Sequence, residues 1–396
     1  MSGISSSRSA APLRFGVRPD RIAISLLFLT NGFLIGSWAP KIPVLMGRLG
    51  ISESTMGMFI LVFGLGSIVM MPIMGALTAR NGSALVLKVA SALVVPFLLL
   101  VTLAPDIVTT AIAIAAFGGF TGGMDVAMNT NAVAVEKRMG RAIMSSCHGF
   151  WSLGALLGSA LGGLLLGSVG ELGHAVILTM LAAAAVFFAL PMLAEDQPSA
   201  EERSKTRLRF PSSPLPYLVG IMALFSMIPE GAILDWGALY LQRDHGASIE
   251  LAALGFAAFS ATMAIMRFAG DAIRQRLGAV RTLRICGCFA LVGMMLGALA
   301  PSAELAIAGF ALAGIGISNM VPIAFSAAGN LPGVPSGIGL SIVTVTGYSG
   351  ILVAPSAIGF IAERTGFSPV LFGTALLVLV TLALSRLARY GNFSIE

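Results

Sequence analysis

The chain has 396 residues, of which 57% are hydrophobic and only 11% charged, with a mean hydropathy of +0.93 and a formal net charge of +6. Soluble domains average about 25% charged residues, and apolar stretches recur along the whole length, so one soluble core is excluded and a polytopic, all-α membrane protein is expected. The positive charge does not point to nucleic acid, because most Lys and Arg decorate the loops of one side.

Residues 1–20 are rich in Ser and Arg and lack an apolar run, so they read as a cytoplasmic tail before an uncleaved signal anchor. Apolar runs between turn signals then predict twelve membrane segments, at about 21–46, 54–78, 84–104, 107–134, 142–167, 174–194, 214–241, 250–275, 281–300, 303–329, 337–361 and 368–390. An even number puts both termini on one side. Its tails, loops and helix ends hold Arg8, Arg14, Arg18, Arg80, Lys137, Arg138, Arg141, Arg203, Lys205, Arg274, Arg276 and Arg281 among others, against only Arg48, Arg243 and Arg364 opposite. The positive-inside rule makes that side the cytoplasm and the plasma (inner) membrane the expected location.

Segment 1 carries Asn31 near its middle, with Trp38 and Lys41 towards its outer end. Segment 4 is the most informative, because Asp125 sits within Gly122-Gly123-Met124-Asp125-Val126-Ala127-Met128-Asn129, deep in an otherwise apolar run. A carboxylate there costs roughly 3 kcal/mol or several times that, and such groups normally face a protein interior or watery cavity on an ion, proton or substrate path. Burial disfavours the ionised form, so Asp125 is a candidate proton carrier. The other reading is a carboxyl that only fixes helix packing. Counting depth at ~1.5 Å per residue places His148 of segment 5 near Asn129, and Trp151 and Ser152 near Asp125. His148 either relays the proton, its unperturbed pKa lying near 6.5, or is satisfied at a helix interface. Trp151 offers its face to a sugar ring or to the core. Gly154, Gly158 and Gly162 form a smooth stripe for close helix packing.

A charged stretch at 195–213, rich in Ser and Pro, reads as a cytoplasmic linker between bundles at 21–194 and 214–390, with 391–396 a second cytoplasmic tail. Segment 7 brings Glu230 near mid-membrane as an alternative proton site, with Asp235 and Trp236 closer to the outer surface. Glu230 and Asp235 are five apart, about 500° of rotation, so they need not share a face. Asp235 is a candidate gate or substrate residue with Lys41 as partner, while Trp38 and Trp236 suit either the solute or an interfacial belt. Arg267 and Asp271 of segment 8 lie one turn apart, as a gate or as a structural pair. Asn319 and Tyr348 mark the middles of segments 10 and 11, where Pro322 and Pro355 are expected to bend their helices.

The halves resemble each other. Leu49-Gly50-Ile51-Ser52 corresponds to His245-Gly246-Ala247-Ser248, and Arg80-Asn81-Gly82 to Arg276-Leu277-Gly278, both at a shift of 196 residues. Two bundles in the same orientation follow, a 6+6 arrangement about a pseudo-twofold axis along the membrane normal.

Twelve segments, a charged central linker and this repeat resemble the major facilitator superfamily. Its loop after segment 2 usually reads Gly, three residues, Asp-Arg, one residue, Gly and a base. This chain has Gly75-Ala76-Leu77-Thr78-Ala79-Arg80-Asn81-Gly82-Ser83, without the Asp or final base, and Gly270-Asp271-Ala272-Ile273-Arg274-Gln275-Arg276-Leu277-Gly278 in the second copy. The resemblance implies a cytoplasmic gate latch involving Arg80, Arg267, Asp271 and Arg276. Asp125 followed four residues later by Asn129, after paired glycines, resembles the fucose-permease-like proton-sugar symporters, which carry Glu there instead of Asp. That likeness implies alternating-access symport of protons with a small hydroxylated solute, a sugar or polyol, and cavity positions at Asn31, Asn319 and Tyr348. Proton-coupled export of a drug or metabolite is the alternative. The antiporter motif of segment 5 is only partly present, since Ser159 stands where that motif has Pro. A protein without enzymatic activity is expected, working as a monomer, with no cofactor, metal site or disulfide: Cys147, Cys286 and Cys288 all fall in membrane segments, and no Walker loop or catalytic triad is present.

Overall fold

A computed structural model describes residues 18–193, 195–196 and 211–392. The tail through residue 17, most of the predicted linker and the last four residues therefore lie outside the described residues. The helices are α1 (Pro19–Trp38), α2 (Lys41–Leu49), α3 (Glu53–Asn81), α4 (Ser83–Val94), α5 (Phe97–Leu103), α6 (Ile107–Met139), α7 (Met144–Ala189), α8 (Leu215–His245), α9 (Ile249–Leu277), α10 (Ala279–Ala298), α11 (Ala303–Ile317), α12 (Met320–Ala328), α13 (Ser336–Thr365) and α14 (Phe367–Ala383). Among the described residues ten helices or helix pairs are long and apolar enough to cross a membrane, and the pair Phe367–Ala383 and Ser385–Gly391, bent by 57°, makes an eleventh. The twelfth comes from α7, whose 46 residues contain a break at Gly170, φ 72°.

Local chemistry sets the boundaries. Ser52, Asp106, Ser248 and Ser302 cap α3, α6, α9 and α11 by accepting the backbone N–H three residues on, satisfying donors that a helix start leaves unpaired. Several predicted segments are broken where they were expected to run through. Segment 1 stops at Trp38 and resumes as α2 after Pro40, segment 3 divides at Val95–Pro96, and segment 10 divides at Ser318–Asn319, the first two because proline interrupts the helical hydrogen bonds.

The repeat is visible in the backbone. Gly50 and Gly246 have φ of 61° and 64°, Gly82 and Gly278 89° and 78°, and Gly170 and Gly366 72° and 80°. Each pair is separated by the shift found in the sequence, at turns that only glycine enters without strain. Corresponding helices also pair alike: α1 lies on α7 as α8 lies on α13, and α3 on α6 as α9 on α11. The two halves meet along two seams, α3 against α13 and α7 against α9.

Small residues allow these close approaches. A Cβ at Gly154 would stand 2.0 Å from the Leu29 carbonyl oxygen, and one at Gly158 2.2 Å from that of Phe33. Gly32 and Gly36 of α1 answer from the other side, against Trp151 and Ala155. Gly154→Ala is accordingly expected to lower stability by about 1–3 kcal/mol through overpacking, although helix propensity alone predicts a gain of about 1 kcal/mol. A thermal unfolding midpoint in detergent that rises would contradict this packing. Large apolar side chains such as Phe187, Leu164 and Met180, between 66% and 73% exposed, cover the outside, as a lipid-facing surface requires.

Candidate functional site

Asp125 lies in the interior on α6, 4% exposed. Its paired glycines bring α6 against α3, since a Cβ at Gly122 would stand 2.8 Å from that of Ser67. Asn129, one turn on, donates from Nδ2 to the Asp125 backbone oxygen at 2.9 Å and to Oδ1 at 3.3 Å. Among the described residues Asp125 Oδ2 and Asn129 Oδ1 have no hydrogen-bond partner, and Asp125 makes no ion pair. An ionised Asp125 would thus be a buried charge without a counter-ion, a cost that a bound proton or cation removes.

The second charged group sits across the seam. Glu230 of α8, directly after the in-helix Pro229, accepts from Arg267 Nη2 of α9 at 3.1 Å, while Arg267 Nη1 donates to Ser152 Oγ of α7 at 2.6 Å. One guanidinium therefore neutralises a carboxylate of its own half and holds a hydroxyl of the other. Tyr348 of α13 lies within electrostatic reach of Asp125, Glu230 and Arg267. His148 packs edge-on between Phe28 and Phe325, at 5.3 and 5.6 Å between ring centroids, within reach of the Arg267 charge. Its Nε2 has no partner among the described residues. The fold thus gathers Asp125, Asn129, His148, Ser152, Glu230, Arg267 and Tyr348 around the middle of the interface.

Asn31 and Trp151 flank this group and satisfy each other: Trp151 Nε1 donates to Asn31 Oδ1 at 2.9 Å, and Asn31 Nδ2 to the Thr121 carbonyl at 3.3 Å. Asn319 is fully buried at the α11–α12 break, donating to the Met266 carbonyl and to Ser318 Oγ. Other candidates stand apart. Trp38 is buried edge-on against Phe117 at 6.4 Å, and Trp236 packs on Phe367 at 5.5 Å, so both serve the packing of their own halves. Asp235 is exposed. Its expected partner Lys41 is fully buried, pairs with Glu171 at 2.7 Å and also donates to Thr102. The nearer carboxylate of its own bundle takes that charge.

The expected latch is corrected in the same way. Arg267 points to Glu230 rather than to Asp271, although the two are one turn apart. Asp271 instead crosses the seam and caps α7, accepting from the Ser145 and Ser146 N–H groups at 2.9 and 3.0 Å and from the Ser146 hydroxyl. Gln275 accepts from Ala142 N at 3.0 Å beside it. Arg80 and Arg276 are exposed, and neither makes an ion pair among the described residues. Sequence reasoning missed the strongest element here. Glu136, fully buried at the end of α6, accepts from the Ile143 and Met144 N–H groups, from Ser326 Oγ at 2.7 Å and from Arg274 Nη1 at 3.2 Å. Arg274 also reaches Ser326 and the Gly391 carbonyl. The signal was a carboxylate alone among Lys137, Arg138 and Arg141, at the junction of two segments.

Every described hydrogen bond between the halves lies at Arg267–Ser152 or towards the basic end, where Arg138, Arg141 and Arg276 are exposed. Asp271→Ala removes the cap on α7 and is expected to cost about 1 kcal/mol, read as a lower unfolding midpoint. An unchanged midpoint would remove the cap from this account. Among the described residues no three His, Cys, Asp or Glu side chains converge as a metal site.

A twelve-crossing, two-fold repeated bundle closed at its basic end by cross-seam caps is the frame in which these groups sit. The Major Facilitator Superfamily family model matches residues 24–328. The chain belongs to the major facilitator superfamily. It is 35% identical over 375 residues to an uncharacterised transporter of this type from Yersinia pestis, covering 93% of this chain and 95% of that one. A second uncharacterised transporter, from Sinorhizobium fredii, is 38% identical over 342 residues, covering 85% and 89%. Among solved structures the E. coli fucose:proton symporter superposes with a TM-score of 0.76 at 16% identity, covering 93% and 98% of the two chains. Such a likeness describes the shared fold. The chain is a transporter of the superfamily and an integral membrane protein, not an enzyme.

Proposed function

We propose that this transporter carries a small hydroxylated solute inward together with protons, by rocking its two halves, residues 21–194 and 214–390, about the mid-membrane group. The observation that carries the reading is Asp125, buried without a counter-ion beside the unpartnered oxygen of Asn129 and within reach of Tyr348. Its proton is the coupling ion. The Glu230–Arg267 pair is already neutral, so a protonated Asp125 leaves a site without net charge, suited to a sugar or polyol whose hydroxyls meet Asn129, His148, Ser152 and Tyr348. The fucose:proton symporter supports this as a protein of the same fold.

The basic end is the cytoplasmic one, with both termini there, in the inner membrane. Asp271, Gln275, Glu136 and Arg274 hold that end shut while solute enters from the other. Rocking must break these contacts together with Arg267–Ser152, and solute hydroxyls take the place of Ser152 on the guanidinium. The protein works as a monomer.

The deciding experiment measures labelled sugars and polyols in proteoliposomes under an imposed pH gradient. Inward accumulation with an inward proton gradient is expected. Extrusion under that gradient would show export, and binding without flux would show a transport-dead sensor.

A further inference from the structure

The two seams are related by the internal repeat but are not filled alike. On the α7–α9 seam, Asp271, Arg274 and Gln275 project from one face of α9 and close the basic end with the hydrogen bonds described above. At the same shift of 196 residues, the matching positions on α3 are Gly75, Thr78 and Ala79. None of these three α9 side chains is repeated at the matching α3 position.

A cleft of about 220 Å³ occupies that place, lined by Thr78 and Ala79 of α3, Thr130 and Lys137 of α6, and Ser336 and Gly337 of α13. The start of α13 faces it without a side-chain cap, whereas α7 has Asp271. Thr78 is 2% exposed, and its hydroxyl has no partner among the described residues. Lys137 lines the cleft and donates across the seam to the Gly329 carbonyl at 3.5 Å. Asp196 also borders it, but its two oxygens accept the Ser83 and Ala84 N–H groups at 2.9 Å each, so its charge is directed into the start of α4. Beside the apolar Val133, Ala134 and Pro335, the polar lining includes the Lys137 ammonium, the Thr78 hydroxyl and the first N–H groups of a 30-residue helix whose dipole favours an anion.

We propose that this cleft binds a phosphate group, which supplies the negative charge that Gly75 lacks where Asp271 stands in the other copy and ties the start of α13 to α3 and α6. Lys137 provides the counter-charge, Thr78 a hydroxyl donor, and Ser336 and Gly337 the backbone N–H groups. The phosphate comes from a soluble anion or from a lipid headgroup at the membrane surface. The site lies at the basic end, away from the mid-membrane group, and its binding is independent of what solute is carried.

Thermal unfolding of the purified full-length protein tests this. Inorganic phosphate is compared with chloride at matched ionic strength, and nanodiscs of phosphatidylcholine with ones containing phosphatidic acid. A midpoint raised by inorganic phosphate identifies a soluble anion, and one raised only by phosphatidic acid identifies a headgroup. Lys137→Gln is expected to weaken the half-effect concentration about tenfold, as loss of one charge-assisted hydrogen bond implies. Thr78→Val, close in shape, weakens it less. Ala79→Asp places a carboxylate in the cleft and should abolish the response while the protein stays folded. The proposal is overturned if neither phosphate source moves the wild-type midpoint, or if Ala79→Asp and Lys137→Gln respond as the wild type does.

Discussion

Asp125→Asn is expected to abolish proton-driven accumulation while leaving exchange of solute across the membrane intact. The amide fills the same space and can still accept from Asn129 Nδ2, as Oδ1 does now at 3.3 Å, while the contact of α6 with α3, made at Gly122 and Gly123, is untouched. What is lost is the proton. One pH unit is worth 1.36 kcal/mol per proton, so a carrier moving one proton with each solute reaches about tenfold accumulation per unit of inward gradient. The variant should stop at a ratio of about one whatever the gradient. Tenfold accumulation by Asp125→Asn would move coupling elsewhere, and Glu230 would then be the group to replace.

The largest loss of stability is expected from Arg274→Leu. Arg274 and Glu136 have side chains only 2% and 0% exposed, and removing one member of a buried pair leaves the other uncompensated, at about 3–5 kcal/mol. Two backbone N–H groups and Ser326 remain on Glu136, which places the effect towards the lower part of that range. The double variant Glu136→Gln with Arg274→Leu contains no stranded charge and should recover part of the loss. Denaturant unfolding of the two variants decides the matter: a single variant within 1 kcal/mol of wild type, or a double variant no better than the single, would contradict a buried pair.

Much of the fold was legible because lipid imposes a simple rule, a long apolar run for every crossing, and because glycine turns recur at a constant spacing. The mid-membrane group was legible for a related reason. Asp125, His148, Ser152, Glu230 and Tyr348 are polar where apolar residues are expected, and depth counting along straight helices placed several of them together. Partner choice was not. Arg267 could reach Asp271 by helical spacing, but long side chains select partners in three dimensions, and the partners of Arg267 and Lys41 came from Glu230 and Glu171 on other helices. Glu136 was hidden because a lone acid among bases at a segment end reads as loop, when in fact α6 and α7 fold over it.

The duplicated glycine turns carry one more consequence. Both copies have the same glycine turns, so in the proposed rocking the backbone by itself favours neither tilt, like a balance with equal arms. The side chains at the two seams break that indifference, because the α9 positions carry a carboxylate, a guanidinium and an amide where the matching α3 positions carry a hydrogen, a small hydroxyl and a methyl group. In the proposed rocking, changes to those side chains alone would set which tilt is favoured, without altering the glycine turns.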